Sequence, residues 1–279
     1  MSGAAHSAPR PSPPGSHPGS VVALRDVSVA FDGPPVFKGI TFSVGAAETR
    51  ILLGPAGVGK SVLLKLIIGL LRPLEGSVVL FGEDIARMPE QELFSLRARA
   101  GMVFQEGALF DSLSVRDNVG YQLIQERVPD DEIDRRVGEE LRFVGMEETF
   151  DLYPPSLSGG MKRRVAIARA LIHQPQLVLY DSPTGGLDPV TSTTIIELIV
   201  KQRDVRATPS LLVTHRLQDA FALCTHQYST QYDCMIPYPN GEFHPNTTFL
   251  MLDEGHLIFD GSLHELVHSQ NKFVREFLE

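Results

Sequence analysis

The chain has 279 residues, 43% of them apolar, enough to bury a core as one large domain or two small ones. A formal net charge of −9 argues against a general nucleic-acid binder, which normally carries a basic excess. Two cysteines, Cys224 and Cys234, make no disulfide framework and fit a reducing compartment. No apolar run approaches the ~18 residues of a membrane span, so any membrane role is expected to come through a partner.

Residues 1–20 are rich in Pro, Ser and Gly without an apolar stretch, which predicts a disordered tail rather than a signal peptide. Folded structure is expected from Val21. Residues 21–31 and 39–44 alternate apolar and polar side chains, the period of an antiparallel strand pair. Arg50-Ile51-Leu52-Leu53 reads as a buried strand, and residues 61–71 as a buried helix carrying Leu63, Leu64, Ile67, Ile68 and Leu71. Between them stands Gly54-Pro55-Ala56-Gly57-Val58-Gly59-Lys60-Ser61, which fits the phosphate-binding pattern G-x-x-x-x-G-K-[ST]. The glycines let backbone N–H groups curl around phosphate oxygens. Lys60 adds a positive charge near the outer phosphates, and the Ser61 hydroxyl suits Mg²⁺. The helix that follows turns the positive end of its dipole to the anion.

Further along, residues 77–81 read as a strand closed by Gly82, 89–99 as a short helix and 101–105 as a strand. From about 112 to 172 the pattern is helical. Ile133, Val137, Leu141 and Val144 form one apolar stripe with Gly145 as its cap, and Met161, Val165, Ala168 and Ile172 form another. Residues 177–181 and 211–215 are again strands. Asp188 and Pro189 suit the N-cap and first turn of a helix between them. Alternating strands and helices around a phosphate loop imply an α/β fold with a mainly parallel sheet and an inserted helical subdomain.

Two more signals of a phosphate site follow from this layout. Asp181 ends an apolar strand; in a parallel sheet it lies on the same carboxyl edge as the phosphate loop, within reach of Mg²⁺. In Leu157-Ser158-Gly159-Gly160-Met161, Ser158 reads as an N-cap, and the glycines expose N–H groups at the start of a helix. One protomer has little use for two such phosphate sites. Two protomers facing head to tail would set each phosphate loop against the other's Ser158-Gly159-Gly160.

Phosphate loop, Gln105, Leu157-Ser158-Gly159-Gly160, Asp181, Leu187-Asp188-Pro189 and His215 stand in the order found in ATP-binding cassette (ABC) ATPases, and the chain resembles that family over about residues 21–261. The resemblance implies a P-loop NTPase with a RecA-like parallel-sheet core, an antiparallel β subdomain and an inserted helical subdomain at about 106–172. It further implies a homodimer holding ATP and Mg²⁺ at its interface. Phe31 resembles the aromatic that stacks on adenine. Gln105 resembles the glutamine that meets Mg²⁺ and the attacking water and links the site to a membrane partner. His215 resembles the switch histidine at the γ phosphate, and Asp188 the aspartate that crosses the interface.

The chain departs from that pattern at Ser182, where the family normally carries the glutamate that acts as general base. Serine has no useful basicity near neutral pH, so ATP binding is expected with slow hydrolysis. Arg216, where Asp is common, is a second departure. A third is an extra segment at about 226–248 with an Asn240-Gly241 turn signal, expected to be a surface hairpin. His226, Cys234 and His244 within it match no metal-ligand spacing. Glu106-Gly107-Ala108-Leu109-Phe110, running on to Asp117-Asn118-Val119, resembles the Mla/Mkl group. That likeness implies phospholipid movement with an MlaE-like permease and an MCE-domain protein, without nucleic acid. It places the chain in the cytoplasm, peripheral on the inner (plasma) membrane. A solute importer, a soluble ABC protein acting on DNA or ribosomes, and a non-hydrolysing ATP-dependent switch are the alternative readings.

Overall fold

The computed structural model describes residues 19–31 and 33–279. The strand patterns of the first hundred residues build β1 (Ser20–Val29), β2 (Phe37–Gly45), β3 (Thr49–Leu53), α1 (Lys60–Ile67), β4 (Glu75–Leu80), β5 (Glu83–Asp84), α2 (Glu90–Arg97) and β6 (Ala100–Val103). A helical stretch follows as α3 (Val115–Val119), α4 (Tyr121–Gln125), α5 (Asp130–Phe143) and α6 (Gly159–Leu171). Strand and helix then alternate through β7 (Leu177–Asp181), α7 (Pro189–Arg206), β8 (Ser210–Val213) and α8 (Leu217–Thr225). A hairpin, β9 (His226–Ser229) and β10 (Cys234–Pro237), precedes β11 (Thr247–Asp253), β12 (His256–Gly261), α9 (Leu263–Val267) and α10 (Lys272–Leu278).

The main sheet runs β12-β11-β3-β8-β7-β6, parallel except for β12 at its edge. Its central strands are covered on both faces, which is why they read as unbroken apolar runs. Ile51, Leu53, Val178, Tyr180 and Leu212 face the helical side of the core. Leu52, Leu177, Leu179, Leu211 and Val213 face α1 and a second, antiparallel sheet ordered β2-β1-β4-β5. This is the P-loop NTPase architecture that the sequence implies. The parallel register pairs Leu52 with Val213 and Val213 with Asp181, so the chain leaves β3, β7 and β8 along one edge.

Several boundaries differ from the pattern reading. Of the residues assigned to the tail, 1–18 lie outside the described residues, while Ser20 already pairs with Gly45 in the antiparallel sheet. The helix after the phosphate loop stops at Ile67 rather than Leu71. There Gly69 turns the chain at φ +67, and the Lys65 carbonyl accepts from both Leu70 and Leu71. β6 ends at Val103 and β8 at Val213, which leaves Gln105 and His215 in the loops beyond their strands. Gly145 does close α5, at φ +65, with Met146 N–H bonded to Leu141 O and Gly145 N–H to Arg142 O.

The added segment folds as the β9–β10 hairpin against α7. It turns at residues 230–233; Asn240-Gly241 lies instead in a single 3-10 turn, Pro239–Gly241. Met235 N–H donates to Glu197 Oε1 (2.7 Å) and Tyr228 N–H to Asp204 Oδ2 (2.7 Å), both carboxylates of α7. Among the described residues no cluster of His, Cys, Asp and Glu is placed to hold a metal. His244 instead ties the segment together locally, with its Nδ1 2.9 Å from Thr247 Oγ1. Burial, reinforced by Arg203 and opposed by Asp204, pushes its pKa down to about 4. A depressed histidine stabilises the fold above its unfolded pKa and loses that contribution as protons are forced onto it. Stability measured by urea unfolding should therefore fall between pH 6.5 and about 4, and His244→Gln should flatten that slope.

Candidate functional site

The loop between β3 and α1 is built around Gly59, at φ +100. A Cβ there would meet Val36 Cγ1 at 2.7 Å and Phe37 Cε1 at 2.9 Å, so a side chain would push the loop off β2. Lys60, 8% exposed, donates to Gly54 O (2.7 Å) and Pro55 O (2.6 Å), placing its ammonium inside the loop. Burial pushes its pKa down, and the nearby Asp181 opposes the shift. Ser61 Oγ donates to Asp181 Oδ1 at 3.0 Å. A hydroxyl and a carboxylate meeting beside a loop of backbone N–H groups are hard oxygen donors of the kind Mg²⁺ takes, and the loop suits a polyphosphate. The residues present thus fit a Mg²⁺–nucleotide.

Beyond Asp181 the chain turns sharply. Ser182 sits at φ +45, a region that costs a non-glycine residue energy and persists only when its surroundings enforce it. Here its N–H donates to Val213 O (3.0 Å), and its carbonyl accepts from Gly185 N–H (2.9 Å). Gln105 lies against this turn: a Cβ at Gly185 would come within 3.2 Å of the Gln105 amide nitrogen. His215 is exposed, two residues past the Val213–Asp181 pair.

Ser158 caps α6, its Oγ accepting from Met161 N–H at 3.3 Å. Gly159 faces Leu187, and a Cβ at Gly160 would sit 2.4 Å from Thr191 Cγ2. The start of α6 is therefore pressed on the start of α7, where Asp188 accepts from Thr191 N–H at 3.0 Å; bonding from the Thr191 side chain, then from its N–H, lowers the Asp188 pKa. The structure thus assembles two groups: Lys60, Ser61, Asp181, Ser182 and Gln105 along the sheet edge, and Ser158-Gly159-Gly160 with Asp188 at two helix starts. Among the described residues no hydrogen bond joins the phosphate loop to Ser158. Phe31, 54% exposed, follows β1, a few residues ahead of the Val36–Phe37 contact with Gly59.

Sequence reading does not anticipate the supporting roles of three side chains. Thr184 Oγ1 donates to the buried Asp219, whose carboxyl is pushed up by burial. Arg216 donates to Ser192 Oγ (2.9 Å) and Thr184 O (3.4 Å), bridging the turn after β7 to α7. Arg163 is 4% exposed and contacts the same turn. Lys162-Arg163-Arg164 looks like a solvated face of α6, and nothing in that run marks the middle residue as buried.

Fold and loop together define an ATP-binding cassette, and the comparisons agree. The ABC transporter family model matches residues 37–185, and the chain belongs to that family. The probable ribonucleotide transport ATP-binding protein Mkl of Mycobacterium tuberculosis is 34% identical over 97% of this chain and 69% of its own length. The intermembrane phospholipid transport system ATP-binding protein MlaF of Haemophilus influenzae is 31% identical over 93% of this chain and 90% of its own. The dimeric structure of the bacterial ABC transporter cassette MJ0796 superposes with a TM-score of 0.73, at 27% identity, over 87% of this chain and 98% of that one. The chain is an ABC-type ATPase, the ATP-binding subunit of a transporter.

Lys60→Ala should abolish ATP binding, since it removes the ammonium held inside the loop. Isothermal titration with ATP and Mg²⁺ checks this; affinity equal to the parent chain would place the site elsewhere.

Proposed function

We propose that this subunit binds Mg²⁺–ATP between two copies of itself and hydrolyses it slowly to drive phospholipid through an MlaE-like permease. The observation that carries the partner reading is a cleft of about 350 Å³ beside the Gln105 loop. Phe104, Ala108, Phe110, Tyr121, Arg169 and His173 line it, and the tilted rings of Phe110 and Tyr121 meet at 4.9 Å while remaining 45% and 38% exposed. An apolar cleft with exposed aromatics next to a nucleotide site suits an inserted helix from a membrane protein. Among the described residues no helix is long and apolar enough to cross a membrane, so the described chain itself supplies no helical span. The lipid assignment draws on the likeness to MlaF and on the Glu106–Phe110 stretch that leads into the cleft. It brings with it an MCE-domain partner and a place on the cytoplasmic face of the inner membrane. The ribonucleotide named for Mkl is the competing cargo.

In this reading Lys60 and the loop N–H groups hold the phosphates, Ser61, Asp181 and Gln105 would hold Mg²⁺, Gln105 also meets the attacking water, His215 reaches the γ phosphate, and Phe31 lies against the base. Mg²⁺ supplies charge neutralisation as phosphoryl transfer proceeds. Ser158-Gly159-Gly160 and Asp188 complete the opposite copy's site. ATP should then drive monomers to dimers, and Ser158→Arg should prevent this without weakening binding to the monomer. Sedimentation with and without nucleotide decides; a dimer indifferent to both removes the sandwich.

Ser182 stands where a general base would act and cannot supply one. Ser182→Glu should raise turnover by about 10²–10⁴, the range general-base catalysis contributes, with little change in ATP affinity. The assay is ATP turnover by both forms with an MlaE-like permease in vesicles, supplied with phospholipid or with ribonucleotide. Stimulation by ribonucleotide alone would overturn the lipid reading. Fast turnover of the parent that Ser182→Glu leaves unchanged would show another group acting as base.

A further inference from the structure

Arg163 lies one turn inside α6 from Ser158-Gly159-Gly160 and is almost wholly buried. Among the described residues its guanidinium forms no ion pair within 4 Å; Asp181 and Glu106 act on it only as more distant charges. It donates to backbone carbonyls instead: Ser182 O at 3.1 Å, Pro183 O at 2.5 Å, Gly185 O at 3.4 Å, and Gln105 O. A planar fork of donors can span carbonyls on two separate loops, whereas a lysine ammonium is a single point on a flexible stem. The carbonyls it reaches belong to the segment that carries Gln105 and to the turn that holds Ser182 in its left-handed conformation. Its donors satisfy buried carbonyls on two separate loops, which would be left unpaired without it.

We propose that Arg163 is a positioning residue for ATP hydrolysis, locking the Gln105 loop and the Ser182–Gly185 turn to the start of α6 in one geometry. The proposal rests on the ATPase reading of the site and adds a residue that touches neither nucleotide nor metal. Through it, the helix start that bears Ser158 and the two loops that flank Asp181 move as a unit. Displacing such loops by an ångström is enough to cost about a hundredfold in rate.

The test uses the full chain with Mg²⁺ and ATP, comparing Arg163→Lys and Arg163→Met with the parent. Three quantities are read: kcat and KM, ATP affinity, and hydrogen–deuterium exchange of peptides covering 103–108, 181–187 and 54–61. For Arg163→Lys we expect kcat to fall by about tenfold to a hundredfold, with KM and ATP affinity within about twofold. Exchange should rise in 103–108 and 181–187 but not in the phosphate loop. Arg163→Met should move the same way and further; if it fails to fold, the lysine variant decides. Parental kcat in Arg163→Lys overturns the proposal, as does a loss carried by KM and affinity, or unchanged exchange in both loops. A parent without measurable turnover would count against the ATPase reading alone, and the exchange comparison would still decide the role of Arg163.

Discussion

The hydrogen bond from Ser61 to Asp181 joins residues 120 positions apart, and the site is built on the constraint that makes it possible. β3 and β7 both pair with β8, in parallel and without a register shift. A slip of one residue in either pairing would turn every side chain of the strand to the other face. The two apolar layers that sandwich the sheet forbid such a slip, since Leu52 and Leu179 would exchange places with Ile51 and Tyr180. Burial on both faces is therefore what aligns a hydroxyl and a carboxylate at the edge.

The α/β core is legible in the sequence because its determinants are local. Strands buried on both faces announce themselves as apolar runs, and the loop pattern Gly54–Ser61 constrains backbone and charge together. Asp188, Pro189, Ser158 and Gly145 take their predicted cap positions, since a cap depends on few neighbours. Boundaries are less legible. α1 stops early at a glycine cap: Gly69 is left-handed, with its N–H bonded to Leu66 O and Leu70 N–H to Lys65 O, a local signal masked by the apolar run that continues to Leu71. The Asn240-Gly241 signal is real as a turn but not as the hairpin's turn, which falls at residues 230–233 between the paired Ser229 and Cys234.

Arg163, Thr184 and Asp219 are invisible in the sequence for a different reason. Each acts through backbone carbonyls or a buried partner that only the tertiary fold brings near, and the identity of the side chain carries no trace of it. Arg216 stands out as unusual in the sequence without its role being readable there. Its guanidinium reaches α7, the turn after β7 and α8 together, an arrangement of three segments that no short stretch of sequence encodes.

The helix α7 has a mechanical consequence for the molecule. Its 18 residues form a rod about 27 Å long, at 1.5 Å per residue. One end is capped by Asp188 beside the start of α6; the far half carries Glu197, Lys201 and Asp204, which hold the β9–β10 hairpin. The added hairpin is thus fixed to the same element whose capped end lies against the start of α6.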